Sequence, residues 1–168
     1  TLQERHLVLR AQTGDREAFD ALLRGVAPPL LRYVRGVVGE SALADDVLQE
    51  TLILIVRKLT WLSDPALFRP WAYRIASREA FRALRRRHIP VALEDVPSAD
   101  YEPPDPWQRE RLLASLDRLT PASRAVITLH YFEELPLSDV AAVLDLSLGT
   151  VKSRLSYGLA RLRKENFS

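Results

Sequence analysis

The residues able to act on another molecule fall into three charged clusters. Lys152, Arg154, Arg161, Arg163 and Lys164 lie between Ser147 and Lys164, a stretch without a single acid. Between Arg69 and Arg87 there are seven arginines against one acid, Glu79, so a second strongly basic footprint precedes the first. Within it Arg74, Arg78, Arg82 and Arg85 repeat at helical steps. A guanidinium fork binds phosphate through two bonds at once and also stacks on bases. Trp61, Phe68, Trp71 and Tyr73 stand close by in sequence, the kind of flat surface that holds unstacked bases. At this helical spacing, however, Trp71 and Phe81 are more often core residues. The third cluster has the opposite sign. Asp45, Asp46, Gln49 and Glu50 sit where no lysine or arginine occurs between Glu40 and Arg57. Acids at a helix start are favoured by the helix dipole alone, and they also suit docking to a basic partner.

Other chemistries find little support. The chain has no cysteine, which excludes disulfides, thiolate zinc sites and thiol catalysis. His6, His88 and His130 are too scattered for a ligand set, no glycine-rich phosphate loop occurs, and no nucleophile–base pair stands out. No enzyme, catalytic residue, metal or cofactor is therefore expected. No signal-peptide pattern and no apolar run of about 18 residues is present, so no membrane insertion is expected. The absence of cysteine is compatible with a cytoplasmic setting. The net charge of the 168 residues is only +2, so any affinity for nucleic acid must come from where the charge sits.

The elements that would position these clusters read as helices throughout. Leu2 to Gly25 is helical, broken at Thr13-Gly14-Asp15, with Asp15 capping the next segment. Pro28-Pro29 interrupts it, and helical spacing resumes to a stop at Gly39. Ser41 opens a helix to Leu59 that carries the acids. A loop from Thr60 to Leu67 then leads into the arginine-rich helix. From His88 to Pro106 five prolines and five acids occur with no lysine or arginine, the composition of a linker. About 18 residues can span several tens of ångströms, so the flanking halves need not touch. An amphipathic helix is expected from Trp107 to Leu119, and Thr120-Pro121 starts another. Ser138 and Ser147 are N-cap candidates for a final helix pair. In the second of these helices Val151, Leu155, Leu159 and Leu162 form the buried stripe. A short helix, a tight turn and a basic second helix make a helix-turn-helix, whose second member enters the major groove. A solvated basic helix in a bundle has similar composition; the capped pair, the turn spacing and the missing acids favour DNA. The expected fold is all-α, with two small helical domains, 1–88 and 107–168, joined by a flexible acidic linker, 89–106.

Two stretches carry a family resemblance. DDVLQET at 45–51, together with FRPWAYRIA at 68–76, resembles the first conserved domain of bacterial extracytoplasmic-function (group 4) RNA polymerase sigma factors of the sigma-70 family. LGTVKSRL at 148–155 resembles the recognition helix of their second domain. The resemblance covers nearly the whole chain in the right order. It implies that Asp45, Asp46, Gln49 and Glu50 grip the clamp coiled coil of core RNA polymerase, with further contact to the flap. It implies that Leu62, Ser63, Asp64, Trp71, Arg74, Arg78, Arg82 and Arg85 melt and hold the minus-10 strand. The loop from Leu62 to Leu67 would capture a flipped base. Ser147, Gly149, Thr150, Lys152, Ser153, Arg154, Ser156 and Tyr157 would meet the minus-35 element, and the linker would thread towards the polymerase active site.

Two departures stand out. Leu43-Ala44 occupies positions where another acid is expected, and Ser156 stands where a bulkier contact is frequent, so the promoter sequence does not carry over. Only Glu-Asn-Phe-Ser follows Lys164, which points to control by a separate anti-sigma protein. The competing expectation is a helix-turn-helix transcription regulator with an unrelated helical N-terminal domain.

Overall fold

The computed structural model describes residues 1–91 and 115–166, and among them every regular element is helical. Helix α1 (Leu2–Gln12) ends at the Thr13-Gly14 turn, and α2 (Arg16–Val38) starts on Asp15, whose Oδ1 accepts the Ala18 N–H at 3.1 Å. The expected break at Pro28-Pro29 does not occur: α2 runs straight through both prolines. Each proline removes one ladder donor, which orphans the carbonyls of Arg24 and Gly25. Both residues are exposed, so water can bond those carbonyls, while Val26, Pro29 and Leu30 are buried and hold the helix in line. The stop at Gly39 is as expected, with φ +74° and its N–H on Arg35 O at 2.9 Å.

Helix α3 (Ser41–Lys58) is followed by two single 3-10 turns, Leu59–Trp61 and Pro65–Leu67, and then by α4 (Phe68–Arg86). Of the expected linker only 89–91 lie within the described residues, and the helix expected from Trp107 lies outside them up to 114. Leu116–Arg118 forms one 3-10 turn. Thr120 caps α5 (Pro121–Ile127), which passes into a π-helical turn, Thr128–Phe132. Helix α6 (Leu137–Leu144) begins one residue ahead of the expected cap at Ser138. The Pro136 carbonyl accepts from both Asp139 and Val140 N–H, which draws Ser138 into the first turn. Helix α7 (Leu148–Asn166) completes the chain.

The halves touch. α1, α2, α3 and α4 pack consecutively; α6 lies on α4, and α5 lies between α2 and α7. One apolar cluster runs from Val8 through Tyr33, Ile55 and Leu84 to Ile127, Val140, Leu155 and Leu162. α7 approaches α5 closely at Gly158, where any Cβ would stand 2.9 Å from Ile127 Cδ1. Among the described residues no helix is long and apolar enough to cross a membrane.

Candidate nucleic-acid interface

The start of α7 is built by Ser147. Its Oγ accepts the Thr150 N–H at 3.1 Å and lies 2.8 Å from Thr150 Oγ1, satisfying a donor that the helix itself cannot. Ser147 and Gly149 are exposed, and a Cβ at Gly149 would meet only the Ser147 hydroxyl, at 3.9 Å. Lys152 is exposed, while Thr150, Ser153, Ser156 and Tyr157 are half-buried on the outer side of the helix. Arg154 is different. It lies three residues after the fully buried Val151 and beside Leu155, on the stripe that faces the core, and is 6% exposed. Burial lowers its guanidinium pKa. Its expected place on the DNA-facing surface is corrected accordingly: a residue in register with Val151, Leu155 and Leu162 turns inward whatever its charge.

On α4 the register 74, 78, 82, 85 presents all four arginines on the outer face, opposite the buried Ala72, Ala76, Ala80 and Leu84. Three of the four already meet an acid. Arg74 Nη2 meets Asp145 Oδ1 at 2.6 Å, and Arg78 Nη2 meets Asp145 Oδ2 at 3.0 Å. Arg82 Nη1 lies 3.4 Å from Glu79 Oε1, one turn back. Asp145 belongs to the turn between α6 and α7, so one carboxylate of the helix-turn-helix joins two arginines of the other basic face.

The loop before α4 sorts its residues by burial. Leu62, expected among the DNA contacts, is buried and anchors the loop instead, because the leucines at 59 and 62 both turn into the core. Ser63 and Asp64 are exposed, and Asp64 Oδ1 accepts the Ala66 N–H at 2.9 Å, which shapes the second 3-10 turn. Trp71 is half-buried, its ring centroid 6.1 Å from that of Phe68. The indole open to a base is that of Trp61, 77% exposed. Its turn is held by Gln12, whose Nε2 donates to Leu59 O at 2.9 Å and to Leu62 O at 2.7 Å. No local pattern marks Gln12, which lies about 50 residues upstream. Trp61 is one of the four aromatics that the sequence offers as a base-holding surface, and the one most open to solvent.

The acids of α3 are exposed: Asp45, Asp46, Gln49 and Glu50. Asp45 reaches Arg35 at 3.4 Å across open surface, a pair worth little. Asp46 and Glu50 share a shallow groove with Arg82, Arg86 and Arg87, floored by Leu43, Val47 and Ala83. Leu43 and Ala44 are buried, which explains why no acid stands there. Arg87 Nη1 is held at 2.5 Å by Glu40.

Between the halves lies a polar seam. Tyr73 donates its hydroxyl to Glu133, and its ring meets Tyr33 edge-on at 5.4 Å. Tyr33 and Ser77 hydroxyls lie 2.6 Å apart. Arg124 donates to Val37 O through Nε at 3.1 Å and Nη2 at 2.6 Å, and to Leu119 O at 3.1 Å. That guanidinium covers a carbonyl that the end of α2 leaves free. Among the described residues no group of acids and histidines is placed to hold a metal ion.

The Sigma-70 region 2 family model matches residues 22–88, and the Sigma-70 region 4 model matches residues 115–164. The RNA polymerase sigma factor CarQ of Myxococcus xanthus is 30% identical over 161 residues, which is 92% of this chain and 92% of that protein. The ECF RNA polymerase sigma factor SigE of Mycolicibacterium smegmatis is 32% identical over 164 residues; the match covers 90% of this chain and 63% of that protein. Two solved structures are similar at 25% identity. CnrH, in complex with the cytosolic domain of CnrY, has a TM-score of 0.72 and covers 98% of this chain and 97% of its own. The sigma factor RpoE of Bartonella quintana, in complex with the anti-sigma factor NepR, has a TM-score of 0.68 and covers 87% and 94%.

Proposed function

The chain belongs to the extracytoplasmic-function group of the sigma-70 family, and on that footing we propose that it is a promoter-recognition subunit of RNA polymerase whose two basic faces read separate DNA elements. It performs no chemistry of its own in this reading. The observation that carries it is the pair of exposed basic surfaces, the arginines of α4 and Lys152, Arg161, Arg163 and Lys164 of α7, in one chain with the acids of α3. The region 2 match over 22–88 also removes the competing picture of a regulator with an unrelated N-terminal half.

In this division of labour Lys152, Ser153, Ser156 and Tyr157 face the major groove of a minus-35 element. Ser147, Gly149 and Thr150 bring the helix start, with its free N–H groups, against a phosphate. Arg74, Arg78, Arg82 and Arg85 track the backbone of the opened minus-10 strand, and Trp61 offers its ring to a base beside Ser63 and Asp64. Asp45, Asp46, Gln49 and Glu50 dock on the basic clamp coiled coil of core polymerase, and the C-terminal half meets the flap. The polymerase and its promoter place the protein in the cytoplasm. RpoE of Bartonella quintana was solved with an anti-sigma factor, and a comparable inhibitor is proposed for this chain. The test is run-off transcription with purified core polymerase and a promoter library. Transcripts should start downstream of one recurring pair of elements, only when the chain is present. A library that yields the same starts without it would refute the proposal.

A further inference from the structure

The two faces that must read separate elements are locked together in this structure, and the lock falls on the residues the DNA needs. A minus-10 and a minus-35 element lie about 25 base pairs apart, or about 85 Å at about 3.4 Å per base pair. A compact chain of this length is only about 40 Å across. One closed body cannot reach both, so α6 and α7 must part from α4 for both elements to be held at once.

We infer that Asp145 is an internal stand-in for DNA phosphate: it occupies Arg74 and Arg78 in the free chain and must be displaced by the promoter strand. Three observations support this. First, its two carboxylate oxygens take one guanidinium each, at 2.6 and 3.0 Å, as two phosphate oxygens would. The Asp145 side chain is 54% exposed, so water and a competing anion can reach the pair. Second, Asp145 has φ +55° and ends α6 in the left-handed conformation that suits glycine or asparagine better. An aspartate there supplies a charge that the turn itself does not require. Third, the seam is built to part. Its Tyr73–Glu133 and Arg124–Val37 bonds join polar groups that water can satisfy. Closed, it leaves Glu133 Oε1 and Thr128 Oγ1 buried without a hydrogen-bond partner. Opening hydrates both atoms, which offsets part of the loss of apolar contact.

This inference rests on the reading of α4 as a strand-binding face, and its test separates the two. Asp145→Asn removes the charge and keeps a side chain at home in the left-handed turn. Glu134→Gln is the control: it makes the same charge change at another exposed residue of positive φ in the same half. The native chain has no cysteine, so Asp20→Cys with Ala160→Cys gives one dye pair across the halves. Asp145→Asn should lower energy transfer between the dyes and tighten binding of a fluorescent, random-sequence 20-nucleotide single strand (~20 nucleotides suffices to span the face) by about fivefold, with Glu134→Gln unchanged. Equal tightening by both variants, or unchanged transfer and affinity in Asp145→Asn, would overturn the inference. Wild-type protein that supports run-off transcription alongside such a result would sink the inference alone. Failure of transcription by wild type and variant alike would strike the proposed function itself.

Discussion

On α4 Arg74, Arg78 and Arg82 each meet an acid, the first two across the seam at Asp145, whereas at the start of α7 Lys152 stands exposed beside the Ser147 cap. Both faces are basic and helical, and composition makes them look alike. The difference lies in what each charge already holds. A cation with an acid beside it must exchange one partner for another when DNA arrives, so its binding is a competition. A cation in water only sheds counterions. Local charge density therefore says where nucleic acid can bind and says little about how ready the surface is.

The same contrast runs within α7 and supplies the largest expected effect. Leu155→Ala, on the fully buried side, should cost about 2–5 kcal/mol of stability, read as a shift in the urea midpoint. A midpoint that stays put would mean the helix does not rest on that stripe. Lys152→Ala should leave stability alone and cost about 1–3 kcal/mol in specific binding by the polymerase complex, with preference relaxed at one base position. Equal losses on every duplex would reduce Lys152 to a phosphate contact. On the other face, Arg78→Ala with Arg82→Ala should flatten the salt dependence of single-strand binding by about 1.4 in log–log slope, about 0.7 per lost phosphate contact, and depress strand opening. A normal open complex with both gone would detach α4 from the melted strand. Glu50→Lys should weaken core-polymerase binding by about fivefold while the circular dichroism spectrum stays unchanged. Undiminished affinity would take Glu50 out of the interface.

The smallest effect is on pH. The Tyr33 and Tyr73 hydroxyls are held above the usual phenol value of 10.0, in both cases chiefly by burial, and in Tyr73 also by its bond to Glu133. Below pH 10 the phenols are protonated folded or unfolded, and their contribution is complete. Above it the unfolded chain ionises first, binds fewer protons than the native one, and stability falls as pH rises. Urea midpoints measured from about pH 9 to about 11 should show this decline, and Tyr73→Phe should lessen it. An identical decline in Tyr73→Phe would remove Tyr73 as a source.

Much of the architecture was legible because the helical repeat is a local property. The buried stripe Val151, Leu155, Leu159, Leu162 and the caps at Asp15, Thr120 and Ser147 depend on residues within one or two turns. Pro28-Pro29 misled because a missing donor ends a helix only where nothing else holds it, and here a long buried face does. Arg154 departs from the expectation because register, not charge, decides which way a helical side chain turns. Leu62 turned inward with Leu59, while Trp61 between them carries the exposed ring.

What the chain alone determined was therefore one-dimensional: where helices start, which side is apolar, where charge accumulates, and through those patterns the family. What only the folded arrangement decided was which charges meet. Asp145 lies 71 residues after Arg74 and Gln12 lies 47 before Leu59, and nothing local records either pairing. Such contacts follow from how whole helices pack, because the burial of many apolar side chains sets their positions and the polar groups must then find partners where they are left.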